Sequence, residues 1–167
     1  MDKKVFFYKN MPVYAVGTLI YKKSPENNEI EFLLVKNCKN KFEDIGGKTE
    51  NTDDNIYQTA CREMEEETNK IVKGCDISER IKKTRNVVYN MKSKYLVFII
   101  QANNNEEKLE SSIFDNIEYF SKQKRTVEWV PFKIYKKYAN EKMLNFRLMV
   151  KYLFNRLETI NFYNSQT

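Results

Sequence analysis

The chain has 167 residues, with 29 Lys plus Arg against 23 Asp plus Glu, three cysteines and no histidine. That length suits one domain with a real core. A hydrophobic content of 41% excludes a disordered chain, and 31% charged residues with a mean hydropathy of −0.69 exclude a membrane-embedded one.

In chain order, residues 13–21 and 29–36 are β-branched and aromatic runs divided by the turn-rich Ser24-Pro25-Glu26-Asn27-Asn28, which predicts a hairpin. Phe42-Glu43-Asp44-Ile45 is strand-like and runs into Gly46-Gly47. Residues 55–68 lack Gly and Pro and carry Tyr57, Ala60, Cys61, Met64 and Thr68 at helical spacing, with Thr52, Asp53 or Asp54 as the cap. Residues 84–90 and 94–102 predict a second strand pair, followed by a polar loop over 103–107. Residues 127–130 predict a short strand stopped by Pro131, and residues 146–162 a terminal helix. With no repeat and no linker, this order predicts a single domain over 1–167 of α/β (α+β) class.

The missing histidine removes the Ser-His-Asp triad, the Cys-His pair and the imidazole zinc site, so catalysis must use carboxylates, lysines, tyrosines or a metal. Cys38, Cys61 and Cys75 show no C-x-x-C spacing, which suits a reducing compartment. No small-residue cleavage site follows the N-terminal apolar stretch, so a cytoplasmic protein without a membrane span is expected. The net charge of +6 favours an anionic partner. Basic surpluses over 70–94 and 133–156 and an acidic block over 53–67 each read, alone, as solvated faces.

Two of only four glycines are adjacent, Gly46 and Gly47, which points to a backbone that needs φ > 0 or approaches something closely; a lone pair also suits a tight turn. Gly46-Gly47-Lys48-Thr49 resembles the end of a phosphate-binding loop. Phe42 stands where that motif needs Gly, however, and Glu50, Asn51 and Thr52 delay the helix. The sharper signal is Arg62-Glu63-Met64-Glu65-Glu66-Glu67. At about 100° per residue, Glu63, Glu66 and Glu67 line one edge of the apolar arc while Glu65 points to solvent. Like charges at i, i+3 and i+4 cost roughly 0.2–0.5 kcal/mol per pair, and the helix dipole disfavours them near a C-terminus. Such a cluster needs a cation beyond Arg62, and oxygen-only donors suit Mg²⁺ or Mn²⁺. A carboxylate-bound divalent ion near a basic surface suits hydrolysis of phosphoanhydrides.

Gly47, an acid near position 53 and Arg62-Glu63-x-Glu65-Glu66-Glu67 together resemble the Nudix box, and residues 42–48 resemble the lead-in to it. The likeness covers roughly a sixth of the chain. It implies a three-layer α/β/α sandwich with a mixed sheet and a pyrophosphohydrolase. By that resemblance Glu63, Glu66 and Glu67 would bind Mg²⁺ or Mn²⁺, Gly47 would offer its carbonyl, and Arg62 would orient the carboxylates. Residues 48–61 number 14 where the pattern has 13; Asn69 replaces its final Gly, and Lys70 an apolar residue. Asn tolerates the left-handed conformation that a helix end needs. Asp53 and Asp54 both remain open as the first acid.

The general base is open among Glu67, Glu118 and Glu128, with Glu67 the first choice. Lys48, Arg85 and Lys94 are candidates for phosphate contacts, against a solvated-surface reading. Trp129, Tyr89, Tyr95 and Phe98 are candidates for base stacking, against core packing, which strand aromatics favour. The expected substrate is a nucleoside diphosphate-linked compound. The alternatives are decapping at an RNA 5′ end by the same chemistry, and a Nudix-fold module that binds nucleotide or RNA without cleavage. The resemblance also allows a homodimer.

Overall fold

The structure, a computed structural model, describes residues 4–119 and 121–165. A small hairpin of β1 (Phe6–Tyr8) and β2 (Met11–Val13) precedes β3 (Ala15–Lys23), β4 (Ile30–Asn37), β5 (Phe42–Glu43) and β6 (Ile45–Lys48). Two helices follow, α1 (Ile56–Glu67) and α2 (Gly74–Lys83), then β7 (Val87–Asn90) and β8 (Tyr95–Gln101). After a loop with two short 3₁₀ turns come β9 (Arg125–Pro131), α3 (Phe132–Asn140) and α4 (Lys151–Ser165).

The predicted hairpin is present, with Tyr21 opposite Phe32 and Lys23 opposite Ile30. Only the C-terminal part of β3 takes part in it. The N-terminal part pairs antiparallel with β6, which sets Gly47 opposite Val16 and Gly46 opposite Gly17. Along its other edge β3 runs parallel to β8, from Ala15–Tyr95 to Tyr21–Gln101. Strand β9 pairs along its whole length with β4, from Glu31–Pro131 to Asn37–Arg125, and β7 forms an edge beside β8. The sheet is therefore mixed.

Strand alternation divides the core into two layers. Val16, Ile20, Leu33, Val35, Leu96, Phe98 and Val127 pack with Ile56, Ala60 and Met64 of α1 and Ile77 and Ile81 of α2. On the opposite face Leu19, Phe32, Leu34, Val97 and Ile99 pack with Phe132 and Tyr135 of α3 and Leu153 and Leu157 of α4. The result is the expected α/β/α sandwich. Among the described residues no helix is long and apolar enough to cross a membrane.

Several local expectations change. The side chain of Asn55, rather than Thr52, Asp53 or Asp54, caps α1 by accepting from the N–H groups of Tyr57 and Gln58. Residues 146–149 form a 3₁₀ turn capped by Asn145, and the extended Val150 postpones α4 to Lys151. Within the basic run, α2 needs only Ile77 and Ile81 as core anchors, while Arg80, Lys82 and Lys83 sit where its C-terminal dipole favours cations. Thr84 ends that helix and donates its hydroxyl to Ile99, so the seventh strand starts three residues later than expected. The lysine-rich α3 likewise rests on Phe132 and Tyr135. Glu106 in the polar loop is buried and paired with Arg80.

Candidate functional site

The acidic edge of α1 lies against β6. Glu67 accepts from the Gly46 N–H at 3.1 Å. A Cβ on Gly47 would collide with both carboxylate oxygens of Glu63, and one on Gly46 would collide with the Val16 carbonyl and the Gly17 Cα. No glycine has positive φ. Close approach, rather than a tight turn, therefore explains the adjacent pair: without side chains at 46 and 47, two carboxylates reach the backbone of a strand.

Arg62 gathers the remaining acids. Its Nε and Nη2 donate to the two oxygens of Asp53 at 3.0 and 3.1 Å, Nη1 to Glu63 at 2.8 Å and Glu66 at 3.4 Å, and Nη2 to the Lys48 carbonyl at 2.8 Å. Glu50 lies 3.7 Å from the same guanidinium. This bidentate contact selects Asp53 over Asp54 as the acid paired with Arg62. Asp53 also accepts from the Glu50 N–H and the Thr59 hydroxyl. Burial opposes its charge, but the Arg62, Glu50 and Thr59 hydrogen bonds hold its carboxyl below the usual range.

Electrostatics separate the box glutamates. Burial pushes Glu63 up to about 7, against the pull of Arg62. Burial also raises Glu66, with Arg62 opposing and Glu50 and Glu118 adding repulsion. Glu67 is pushed well above the carboxylate range by burial, then by Glu63 and Asp44. Glu65 does not point to solvent as expected: it accepts from the Gly74 N–H at 2.8 Å and so serves the first turn of α2, which has no side-chain cap of its own.

At the end of α1, Asn69 takes φ of +51°, the left-handed conformation expected of it, and Lys70 follows at +63°. Asn69 does more than a glycine can. Its amide donates to the carbonyls of Phe114 and Ile117 and accepts from the Tyr119 N–H, which ties the 114–119 segment to the helix. Glu118 is carried on this segment, close enough to repel Glu66. Glu128 is not: it lies opposite Leu34, on the sheet face that carries α3 and α4, and drops out as a base.

Lys48 and Lys94 lie at one end of β3, where Ala15 pairs with both Lys48 and Tyr95. A pocket of about 350 Å³ there is lined by Tyr14, Ala15, Lys48 and Ser93. Arg85 is exposed before β7, at the opposite end of the β7–β8 pair, so the structure does not bring it to the other two. Tyr95 and Phe98 are core residues, 1% exposed each. The indole N–H of Trp129 donates to Leu109, Lys22 covers its ring, and the Tyr89 hydroxyl donates to Pro12.

Beneath β6 lies a network that sequence reasoning missed. Asp44 is fully buried and accepts from the Tyr95 hydroxyl at 2.7 Å. The Arg147 guanidinium stands 4.5 Å from the Tyr95 ring centroid, 3.3 Å from Glu43 and 3.6 Å from Asp44. Burial raises Asp44, with Arg147 and Tyr95 opposing. Arg147 comes from the turn before α4, more than 100 residues from Asp44, and no local pattern signals that pairing.

Among the described residues no three Asp, Glu or Cys side chains converge as a ready metal cage. Glu63 and Glu66 are held by Arg62, and Glu67 by Gly46. In type the donors fit a hard divalent cation, since all are carboxylate or carbonyl oxygens, and a cation would relieve the crowding of like charge around Glu67.

No family model and no curated protein matches the chain. Among solved structures it resembles the Ap4A hydrolase of C. elegans, with a TM-score of 0.56 and 20% identity over 89% of this chain and 98% of that one. The binary complex of that enzyme aligns with a TM-score of 0.55 and 18% identity, over 92% and 99% of the two chains. At these identities the likeness is one of architecture, and the chain has the Nudix fold.

Proposed function

We propose that the chain is a divalent-metal-dependent pyrophosphohydrolase that cleaves a phosphoanhydride bond in nucleoside diphosphate-linked compounds. The observation that carries this reading is the placement of Glu63 and Glu67 against the bare backbone of Gly47 and Gly46. Bound by Glu63, Glu66, Glu67 and the Gly47 carbonyl, Mg²⁺ or Mn²⁺ would neutralise phosphoryl oxygens and acidify a water. Arg62 is a positioning residue: its fork, anchored on Asp53, fixes the directions of Glu63 and Glu66. Glu67 is the first choice of general base. Its Oε2 is anchored to Gly46, which leaves Oε1 to take the proton as water oxygen bonds to phosphorus and the bridging P–O bond breaks. Glu118 is the second choice, through its place on the segment tied to Asn69. Lys48 and Lys94, at one strand end, contact the phosphates.

The likeness to Ap4A hydrolase makes Ap4A the first substrate to test. It would be incubated with Mg²⁺ or Mn²⁺ beside nucleotide sugars, dinucleotide cofactors and capped RNA, and the products separated by chromatography and mass spectrometry. Glu66→Gln and Glu67→Gln, checked for folding, should lower the rate by about 10²-fold or more. Capped RNA as the best substrate would shift the assignment to RNA decapping. A folded wild type that binds nucleotides and cleaves none with either metal would leave the binding module.

A further inference from the structure

Strand β7 is an open edge of the sheet: β8 pairs with it on one side, and among the described residues no strand pairs with it on the other. The Ile99 N–H donates to the Asn86 carbonyl, which fixes the phase of this ladder. By antiparallel alternation Val88 and Asn90 then bond to β8, while the N–H and C=O groups of Val87 and Tyr89 point outward in the plane of the sheet. No group among the described residues pairs with those outward donors and acceptors. An unpaired strand edge is a template for another chain unless something covers it.

A groove of about 490 Å³ lies between this edge and α4, lined by residues 87–89 and by Tyr152, Asn155, Arg156 and Thr159. These four helix residues span about 100° of the helix surface, beside the buried Leu153, Leu157 and Ile160 that fix α4 to the sheet. Tyr152 is 74% exposed. Arg156 is exposed too; its guanidinium reaches the Asn86 side chain at 3.5 Å, and among the described residues it forms no ion pair. No carboxylate lines the groove, and Glu158 is turned about 160° from Arg156 round the helix. Arg85, just before β7, and Lys151, the first residue of α4, are exposed and add to the positive charge. Outward main-chain groups at strand spacing are matched by a second extended main chain, so the edge calls for a peptide, and the cations call for acidic side chains on it. Antiparallel addition of another copy of this chain would set two Arg156-bearing helix faces side by side, and like charge opposes that occupant.

We propose that this groove takes an extended acidic peptide segment of a partner protein, which adds a strand to β7 and turns a carboxylate toward Arg156. The surface lies on the α4 side of the sheet, opposite the layer that holds α1, and its test needs no turnover. The full chain is titrated by fluorescence anisotropy against a labelled peptide of alternating valine and glutamate, the same peptide fully N-methylated, its lysine counterpart and a labelled oligouridylate. The glutamate peptide should bind about tenfold more tightly than the other three, since only it offers both strand hydrogen bonds and negative side chains. Arg156→Ala, a helix-compatible change at an exposed position, should weaken that binding about fivefold. Amide exchange followed by NMR gives a second readout: without peptide Val87 and Tyr89 should exchange about tenfold faster than Val88, and bound peptide should remove the difference. A glutamate peptide that does not bind, that binds Arg156→Ala equally well, or that binds without slowing exchange at Val87 and Tyr89 overturns the proposal. Preference for oligouridylate would overturn it in favour of a nucleic-acid groove. A concentration-dependent dimer that protects the same two amides would overturn it in favour of a second copy.

Discussion

Adding one methyl group at each of the adjacent glycines separates what holds the sheet from what holds the site. In Gly46→Ala the new Cβ would meet the Val16 carbonyl and the Gly17 Cα of the neighbouring strand, and the Tyr95 hydroxyl at 2.6 Å. Backbone cannot turn aside as a side chain does, so β3 and β6 must part. Overpacking of this kind costs about 1–3 kcal/mol. Disturbing the Tyr95–Asp44 hydrogen bond leaves a buried carboxylate less well paired, at about 1–3 kcal/mol more. Together the loss is about 2–6 kcal/mol, and a chain of this size loses roughly 2–4 °C in Tm per kcal/mol. In Gly47→Ala the three nearest atoms all belong to the tip of the Glu63 side chain, which can swing away. That variant should lose about 1 kcal/mol or less. The displaced carboxylate should nevertheless bind Mn²⁺ about tenfold more weakly, read by the loss of free-ion signal in electron paramagnetic resonance. Denaturant unfolding of both proteins gives the stability comparison. Equal stability of the two variants, or a Gly46→Ala protein as stable as wild type, would refute the packing argument.

Asp53→Asn should destabilise the fold by about 2–3 kcal/mol, because it unpairs one side of the Arg62 fork. The folded-state pKa of Asp53 lies below its unfolded value, so its contribution is full above about pH 4 and fades as pH falls through the folded value. The acid limb of the stability profile should therefore be shallower in Asp53→Asn, and an unchanged slope would contradict the assignment. Tyr95→Phe removes the hydroxyl that donates to Asp44 and should cost about 1–3 kcal/mol in urea unfolding, whereas a neutral substitution would mean that Asp44 satisfies itself otherwise. Asn69→Gly removes a left-handed strain but also three hydrogen bonds to the 114–119 segment, each worth roughly 0.5–1.5 kcal/mol. Net destabilisation and faster amide exchange at Tyr119 are expected, and a stabilised protein would show that only the backbone conformation matters at this position.

Much of the site was legible because its information is local. Helical spacing alone put Glu63, Glu66 and Glu67 on one edge of the apolar arc, and a glycine-poor chain with two adjacent glycines marked the strand that receives them. Alternating apolar runs likewise marked β3, β4 and β8, whose side chains fill both core layers. Helices α2 and α3 escaped notice because each needs only two buried anchors in its charged sequence; tertiary burial, not periodicity, selects those segments.

Contacts that join distant segments could not be read in advance. Asp53 rather than Asp54 faces Arg62, because the Asn55 cap sets where α1 begins and thus which acid lies over the guanidinium. Glu65 turned from a solvent-facing residue into the partner of Gly74 only once α2 was folded against α1. Arg147 is brought under Tyr95 by the turn before α4, about fifty residues away in sequence. The local pattern of the chain set down the acidic edge and the strand it would meet, since 3.6-residue and two-residue periods are properties of short segments. Which charges are paired, buried or left unpaired was decided by the sheet order, because desolvation and ion pairing depend on distances that only the assembled layers define.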